Sequence, residues 1–204
     1  MSRIATLLSA LLLGAAAFAQ TPEEILSRME AAMQPSDTEG VVTSMDIKLP
    51  LLGTMESRIW SRGGKMRMET ETMGVKAIAY SDGVTTWTYT GNDNELEITN
   101  FKADSQEADT ELFKGVAEGY DVSVKKETAE AWHLLCRKSR TNTNKDDPKT
   151  MDIVVAKGSY MPVSLSARMS GVSMTMHHIS IGVSEEEVTF DFAKFPGAKI
   201  VDKR

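Results

Sequence analysis

Cysteine is almost missing from these 204 residues: Cys136 is the single one, so no internal disulfide can form. Small secreted domains commonly rely on such staples, and without them stability has to come from a sizeable core. Basic residues are also in short supply. There are 23 Lys and Arg against 29 Asp and Glu, and setting aside residues 1–19 with Arg3 leaves 22 − 29 = −7. That sign argues against nucleic acid or an anionic membrane surface as the main partner. Rigid aromatic filler is scarce, with six Phe against thirteen Met.

Chemistry-bearing constellations are lacking as well. Paired carboxylates, a phosphate loop and a serine nucleophile in a supporting context are absent. His177 and His178 are neighbours, so on a strand their rings leave opposite faces and do not chelate one metal; His178 is expected inside as a core histidine. The same alternation parts His133 from Cys136 and removes a Cys–His nucleophile. Asp146 and Asp147 lie in NTNKDDPK, which reads as a solvated turn. The expectation is a protein that is not an enzyme, with no catalytic residue, cofactor or metal.

Beyond residue 20 no long apolar run occurs. Before it, MSRIATLLSALLLGAAAFAQ carries Arg3, an apolar run from Ile4 to Ala17, and Ala17 and Ala19 around Phe18. This reads as a secretory signal peptide, residues 1–19, cleaved after Ala19. The run is too short to span a bilayer, and no cysteine follows it for lipid modification. The expected product is one soluble domain over residues 20–204.

What is present is one strong helix and many short alternating segments. Thr21 to Gln34 has an N-cap Thr21, Pro22 in the first turn and Glu24 at the capping-box position, with Ile25, Leu26, Met29 and Met33 as one apolar stripe. Pro35 is expected to stop it. A weaker helix is expected from about residue 108 to 118. Nearly everything else alternates with period two, punctuated by Gly63-Gly64, Asp82-Gly83 and Ser170-Gly171.

A two-residue loop fixes which residues sit opposite each other. Around Gly63-Gly64, Ser61 should face Met66, Ile59 Met68, Ser57 Thr70 and Met55 Thr72. The other side should pair Trp60 with Arg67 in a cation–π contact and Arg58 with Glu69 as opposite charges. Around Asp82-Gly83, Ile78 should face Trp87 and Tyr80 should face Thr85, with Trp87 and Tyr89 next to Ile98 and Leu96 across the following loop. Around Ser170-Gly171, Val163, Leu165, Ala167 and Met169 should oppose Val172, Met174, Met176 and His178. Such a sequence predicts a mainly β (α+β) protein: a strongly curved antiparallel sheet whose apolar side must be filled by side chains or a guest. Methionine, with three rotors, suits guests of varying shape. The expected lining is Met29 and Met33 from the helix, Met55, Ile59, Met66 and Met68 from the first hairpin, Ile78, Trp87 and Tyr89 from the second, and Leu165, Met174 and Met176 from the last.

In order along the chain, the leader, the amphipathic helix, GGKMRME, AYSDGVTTWTY, LFKGV and the closing FDFAKFPGAKIVD resemble the LolA/LolB-like lipoprotein-carrier family. The features that carry this are Asp82, Gly83, Trp87 and Tyr89 of one hairpin and Phe190, Phe192, Pro196 and Gly197 at the end. The resemblance implies a half-open barrel capped by an N-terminal and a midchain helix. It also implies a periplasmic carrier that takes lipidated proteins from an inner-membrane exporter to an outer-membrane acceptor, with Arg62 as the lid latch. Some members of the family are instead sensors, so a regulatory module gripping a protein partner is the alternative. A membrane barrel is disfavoured, because the outward positions include Arg58, Arg67, Glu69 and Arg168.

Overall fold

The computed structural model describes residues 20–51, 53–102, 119–145, 147–169 and 171–204. The expected leader, the expected helix at 108–118, Asp146 and Ser170 lie outside the described residues. The first helix, α1 (Pro22–Met33), is built as its sequence dictates: Thr21 Oγ1 accepts from the Glu24 N–H and the Glu24 carboxylate accepts from the Thr21 N–H. Its stripe of Ile25, Leu26, Met29 and Met33 is buried. Large aliphatic side chains gain roughly 1.5–3 kcal/mol each on full burial, so this stripe determines which side of the helix meets the sheet. α1 ends just before Pro35, as expected, and a separate short helix, α2 (Ser36–Glu39), follows that proline and stops at Gly40, whose φ is +79°.

The strands are β1 (Val41–Leu49), β2 (Gly53–Arg62), β3 (Lys65–Thr72), β4 (Val75–Ser81), β5 (Thr85–Thr90), β6 (Glu95–Asn100), β7 (Tyr120–Glu127), β8 (Ala131–Lys138), β9 (Thr150–Ala156), β10 (Pro162–Met169), β11 (Val172–Ile181) and β12 (Lys199–Asp202). They form one sheet in the order β12-β6-β5-β4-β3-β2-β1-β11-β10-β9-β8-β7. Two runs of hairpins are thus joined where β1 meets β11, and the edges β7 and β12 stay apart. The result is a curved, open, half-barrel sheet, mainly β, as expected. Pairing is antiparallel except at the end, where β12 lies parallel to β6. Between β11 and β12 come α3 (Glu185–Val188), capped by Ser184 and Glu187, and a 3-10 turn at Phe192–Lys194.

The Gly63-Gly64 hairpin has the expected register from Ser61 opposite Met66 to Glu56 opposite Glu71. Both glycines have positive φ, as a tight two-residue turn requires. Arg67 lies 4.6 Å from the Trp60 ring, the expected cation–π contact. Glu69 forms its ion pair with Arg67, its neighbour but one on β3, and not with the cross-strand Arg58.

Three register expectations need correction. The Asp82-Gly83 turn is a four-residue loop, because Asp82 Oδ1 accepts from the N–H groups of Val84 at 2.9 Å and Thr85 at 2.7 Å. Tyr80 therefore pairs with Trp87 and Ile78 with Tyr89, a slip of two that leaves each residue on its own face. A second irregularity falls between Pro162 and Ser164 and leaves Val163 exposed, not inside. The third falls on β11 opposite Val42 to Ser44. His178, with φ +52°, is the extra residue there; it is exposed, and its ring turns to the same side as that of His177. Bulges add curvature by interrupting the ladder, and alternation cannot be read through them.

Candidate functional site

Paired residues share a face, so the ladders can be followed across the sheet from one strand to the next. Met174 pairs with Ile47, which pairs with Met55, and Met176 pairs with Met45, which pairs with Ser57. Leu165, Ile153 and Leu134 continue the Met176 row through β10, β9 and β8. Ile59 faces Met68 and Ser61 faces Met66 on the same side. This is the inner face, because the α1 stripe packs into it: Ile25, Leu26, Met29 and Met33 belong to one cluster with Met45, Ile59, Leu134, Cys136, Met151, Ile153, Leu165 and Met176.

Burial on that face is uneven. Leu134, Ile153 and Leu165 are fully enclosed, and Met176 is nearly so. Toward β1 to β3 the enclosure loosens: Ile47, Met66, Met68 and Met174 touch the cluster but remain half-buried, and Met55 is half-buried too. Beyond β3 the apolar lining gives way to small and polar residues, since Met68 leads to Ala79, Thr88 and Glu97 in turn. The inner face is therefore closed under α1 and through Met45, Ser57 and Ile59, and more open at Ile47, Met55 and Met174 to one side and at Met66 and Met68 to the other.

The structure divides the expected lining into two groups. Met29, Met33, Met55, Ile59, Met66, Met68, Leu165, Met174 and Met176 all lie on the inner face. Ile78, Trp87 and Tyr89 do not. Met68 pairs with Ala79, so Ile78 and Tyr80 point the other way, and their partners Tyr89 and Trp87 go with them. On the outer face Trp87 stacks on Phe190 at 4.7 Å with an interplanar angle of 6°, and Tyr89 lies 4.9 Å from Phe195. Tyr80 meets both phenylalanines edge-on. The aromatic hairpin thus holds the C-terminal segment rather than a guest.

Met45 and Met151, both buried on the inner face, are absent from the expected lining. The alternation of Val41, Thr43, Met45 and Ile47, and of Met151, Ile153 and Val155, is the signal that identifies them. Arg62 Nη1 donates to the carbonyl oxygen of Val183, just before α3. The site's titratable groups are held neutral. Burial pushes the Cys136 thiol up to about 11, with the Asp152 carboxylate adding to the effect, and burial likewise pushes Tyr120 up to about 12. His133 pairs with Val154, one position out of phase with the row of Leu134 and Cys136, so no thiol–imidazole pair forms. Among the described residues no group of three or more His, Cys, Asp or Glu could hold a metal ion. No helix among them is long and apolar enough to cross a membrane.

No protein-family model matches the sequence, and no curated protein matches it. Solved structures do. The chain is similar to the Mycobacterium tuberculosis lipoprotein LppX at 11% identity, with 76% of this chain and 93% of that one covered and a TM-score of 0.50. It is similar to a LolA superfamily protein from Nitrosomonas europaea at 11% identity, with 85% and 100% covered and a TM-score of 0.35. A chain of the Pseudomonas aeruginosa MucA/MucB complex matches at 15% identity, with 83% and 61% covered and a TM-score of 0.46. At such identities the likeness concerns fold alone. The fold that the chain shares with LppX is a curved sheet, open between its two edges, with an amphipathic helix packed on the inner face in this chain.

Proposed function

We propose that the protein is a periplasmic carrier or binder of acyl chains, from lipoproteins or similar lipids, that moves cargo toward the outer membrane without catalysing a reaction. The observation that supports this reading is that the inner face carries half-buried thioethers, Met55 and Met174 on one side of a fully enclosed core and Met66 and Met68 on the other. A carrier has to shelter hydrocarbon and then give it up. Burial is worth roughly 0.8 kcal/mol per methylene, so a ~16-carbon chain asks for about 12 kcal/mol of shielding. Thioethers can rearrange around such a chain because they are not committed to one packing. Met29 and Met33, Ile59, Leu165 and Met176 would form the floor against which it rests. The leader-like N-terminus fits export to the periplasm, where an exporter would supply cargo and an acceptor would take it.

Equilibrium uptake of a fluorescent 16-carbon fatty acid and of a labelled lipopeptide tests this. Saturable binding that weakens at least tenfold in Met68→Glu combined with Met174→Glu is expected. Absence of uptake of either ligand by the wild-type chain overturns the reading. Recovery of a membrane-bound regulator in a pull-down, with no lipid uptake, would favour the regulatory alternative.

A further inference from the structure

The bulge on β11 brings His178 to the side of the sheet that His177 and Asp46 already share. Ser44 pairs with His177 and Val42 with Ser180, so His178 and Ile179 together face Thr43. Thr43 Oγ1 donates to the His177 carbonyl oxygen at 3.3 Å and holds the distortion. His178 occupies the left-handed region, which disfavours side chains other than glycine's. The outcome is that its ring meets His177 edge-on, with centroids 4.5 Å apart and the two Nδ1 atoms 2.9 Å apart. Behind His177, Nε2 is shut off from solvent and faces Asp46 Oδ2 at 3.3 Å, at an angle short of a true hydrogen bond.

Two ring nitrogens this close either share a proton or share a cation. Metal–nitrogen bonds of about 2.0–2.1 Å put ligands at right angles about 2.9 Å apart, whereas tetrahedral ligands stand about 3.3–3.4 Å apart. The observed spacing is the right-angle one. We propose that His177 and His178 form a bidentate site for a divalent cation of tetragonal preference, Cu²⁺ or Ni²⁺, held by both Nδ1 atoms, with Asp46 positioning His177 from behind. A carboxylate behind a ligating imidazole keeps the proton on the far nitrogen and leaves the near lone pair for the metal. No third histidine, cysteine or carboxylate completes a group among the described residues, so water fills the remaining positions. His178 is exposed, and solvent reaches it directly. Across β1, Glu56 pairs with Asp46 and Arg58 with Ser44, so the strand alongside contributes one charge of each sign. The cation takes the Nδ1 lone pair of each ring, so in the bound form both imidazoles carry their proton on Nε2.

The test is titration of the untagged full chain with Cu²⁺, and separately with Ni²⁺, by calorimetry, with electron paramagnetic resonance of the copper form. One equivalent with a micromolar dissociation constant and hyperfine structure from two nitrogens is expected. His177→Ala and His178→Ala should each weaken binding at least tenfold and remove one nitrogen from the spectrum. Asp46→Asn should weaken it about tenfold with both nitrogens retained. His178→Gly suits the positive φ, so its loss of binding cannot be ascribed to misfolding. His133→Ala, which removes the one remaining histidine, should change nothing. Absence of saturable binding, undiminished affinity in His178→Gly, or dependence on His133 overturns the proposal.

Discussion

Met68 and Trp87 stand on opposite faces of the same sheet. Met68 pairs with Ala79, whose neighbour Tyr80 pairs with Trp87, so one step of alternation separates the thioether side from the indole side. Substitutions at the two positions should therefore separate stability from binding. Trp87→Ala, which removes a ring stacked on Phe190, should cost about 2–4 kcal/mol in denaturant unfolding. Its fatty-acid uptake under native conditions should match the wild type. Met68→Glu should show the reverse pattern, with unfolding changed by less than about 1 kcal/mol at this half-buried position and uptake reduced. Equal loss of uptake in both variants would contradict the division of faces.

Gly40 sits where the backbone leaves no room for a side chain. A Cβ there would lie 2.6 Å from the Ser61 carbonyl oxygen, 2.9 Å from Arg62 Cβ and 3.0 Å from Val183 Cβ, at a φ of +79°. Gly40→Ala should destabilise by about 2–4 kcal/mol, combining backbone strain with overpacking. Gly64→Ala has a similar φ of +78° but open space around it, so the expected loss is about 1 kcal/mol. Chemical denaturation of the two variants side by side checks the difference.

Arg62 fastens the outer side of the barrel. It donates to Val183 O, next to Gly182 N–H donating to Gly40 O at 3.1 Å and Val183 N–H donating to Glu39 O at 2.8 Å. Arg62→Ala should lower hydrogen-exchange protection around 182–188 and cost about 1–2 kcal/mol. Uptake should be preserved, because Arg62 lies on the opposite face of β2 from the half-buried methionines. Faster cargo release in this variant would instead assign Arg62 the latch role that the family resemblance implies.

Cys136 makes stability depend on pH in the alkaline range. Its folded thiol ionises near 11, against an ordinary value of 9.0, because burial disfavours the thiolate. From about pH 9 to 11 the unfolded chain gives up this proton first, so the contribution is intact below about pH 9 and is lost as pH rises through that window. The urea midpoint should fall between about pH 8 and 10.5, and the fall should be smaller in Cys136→Ala. For the same reason the native thiol should resist alkylation at neutral pH and react once the chain is unfolded.

Helix α1 was legible because every determinant is local: Thr21, Pro22 and Glu24 define its start, and Ile25, Leu26, Met29 and Met33 recur at helical spacing. The Gly63-Gly64 hairpin was legible for a similar reason, since two consecutive glycines leave one tight register. Asp82 shows where such reasoning stops. Its carboxylate gathers the N–H groups of Val84 and Thr85 and widens the loop, and a dipeptide pattern does not reveal whether that will happen. The bulge at His178 is a further step removed, because it arises from how β11 meets β1, a strand well over a hundred residues away in sequence.

Alternation within each hairpin sorts residues into two sides, and in that respect the amino-acid order alone was sufficient: Trp87 with Tyr89, Met66 with Met68. It does not say which side of one hairpin continues which side of the next. That phase is set by the β3–β4 pairing, in which Thr72 meets Val75 and Met68 meets Ala79, and by the long-range seam of β1 with β11. Periodicity is a relative property of a short segment, whereas burial belongs to the whole curved sheet. Only the assembled sheet decided that the methionines face α1 while the aromatic residues hold the chain's end.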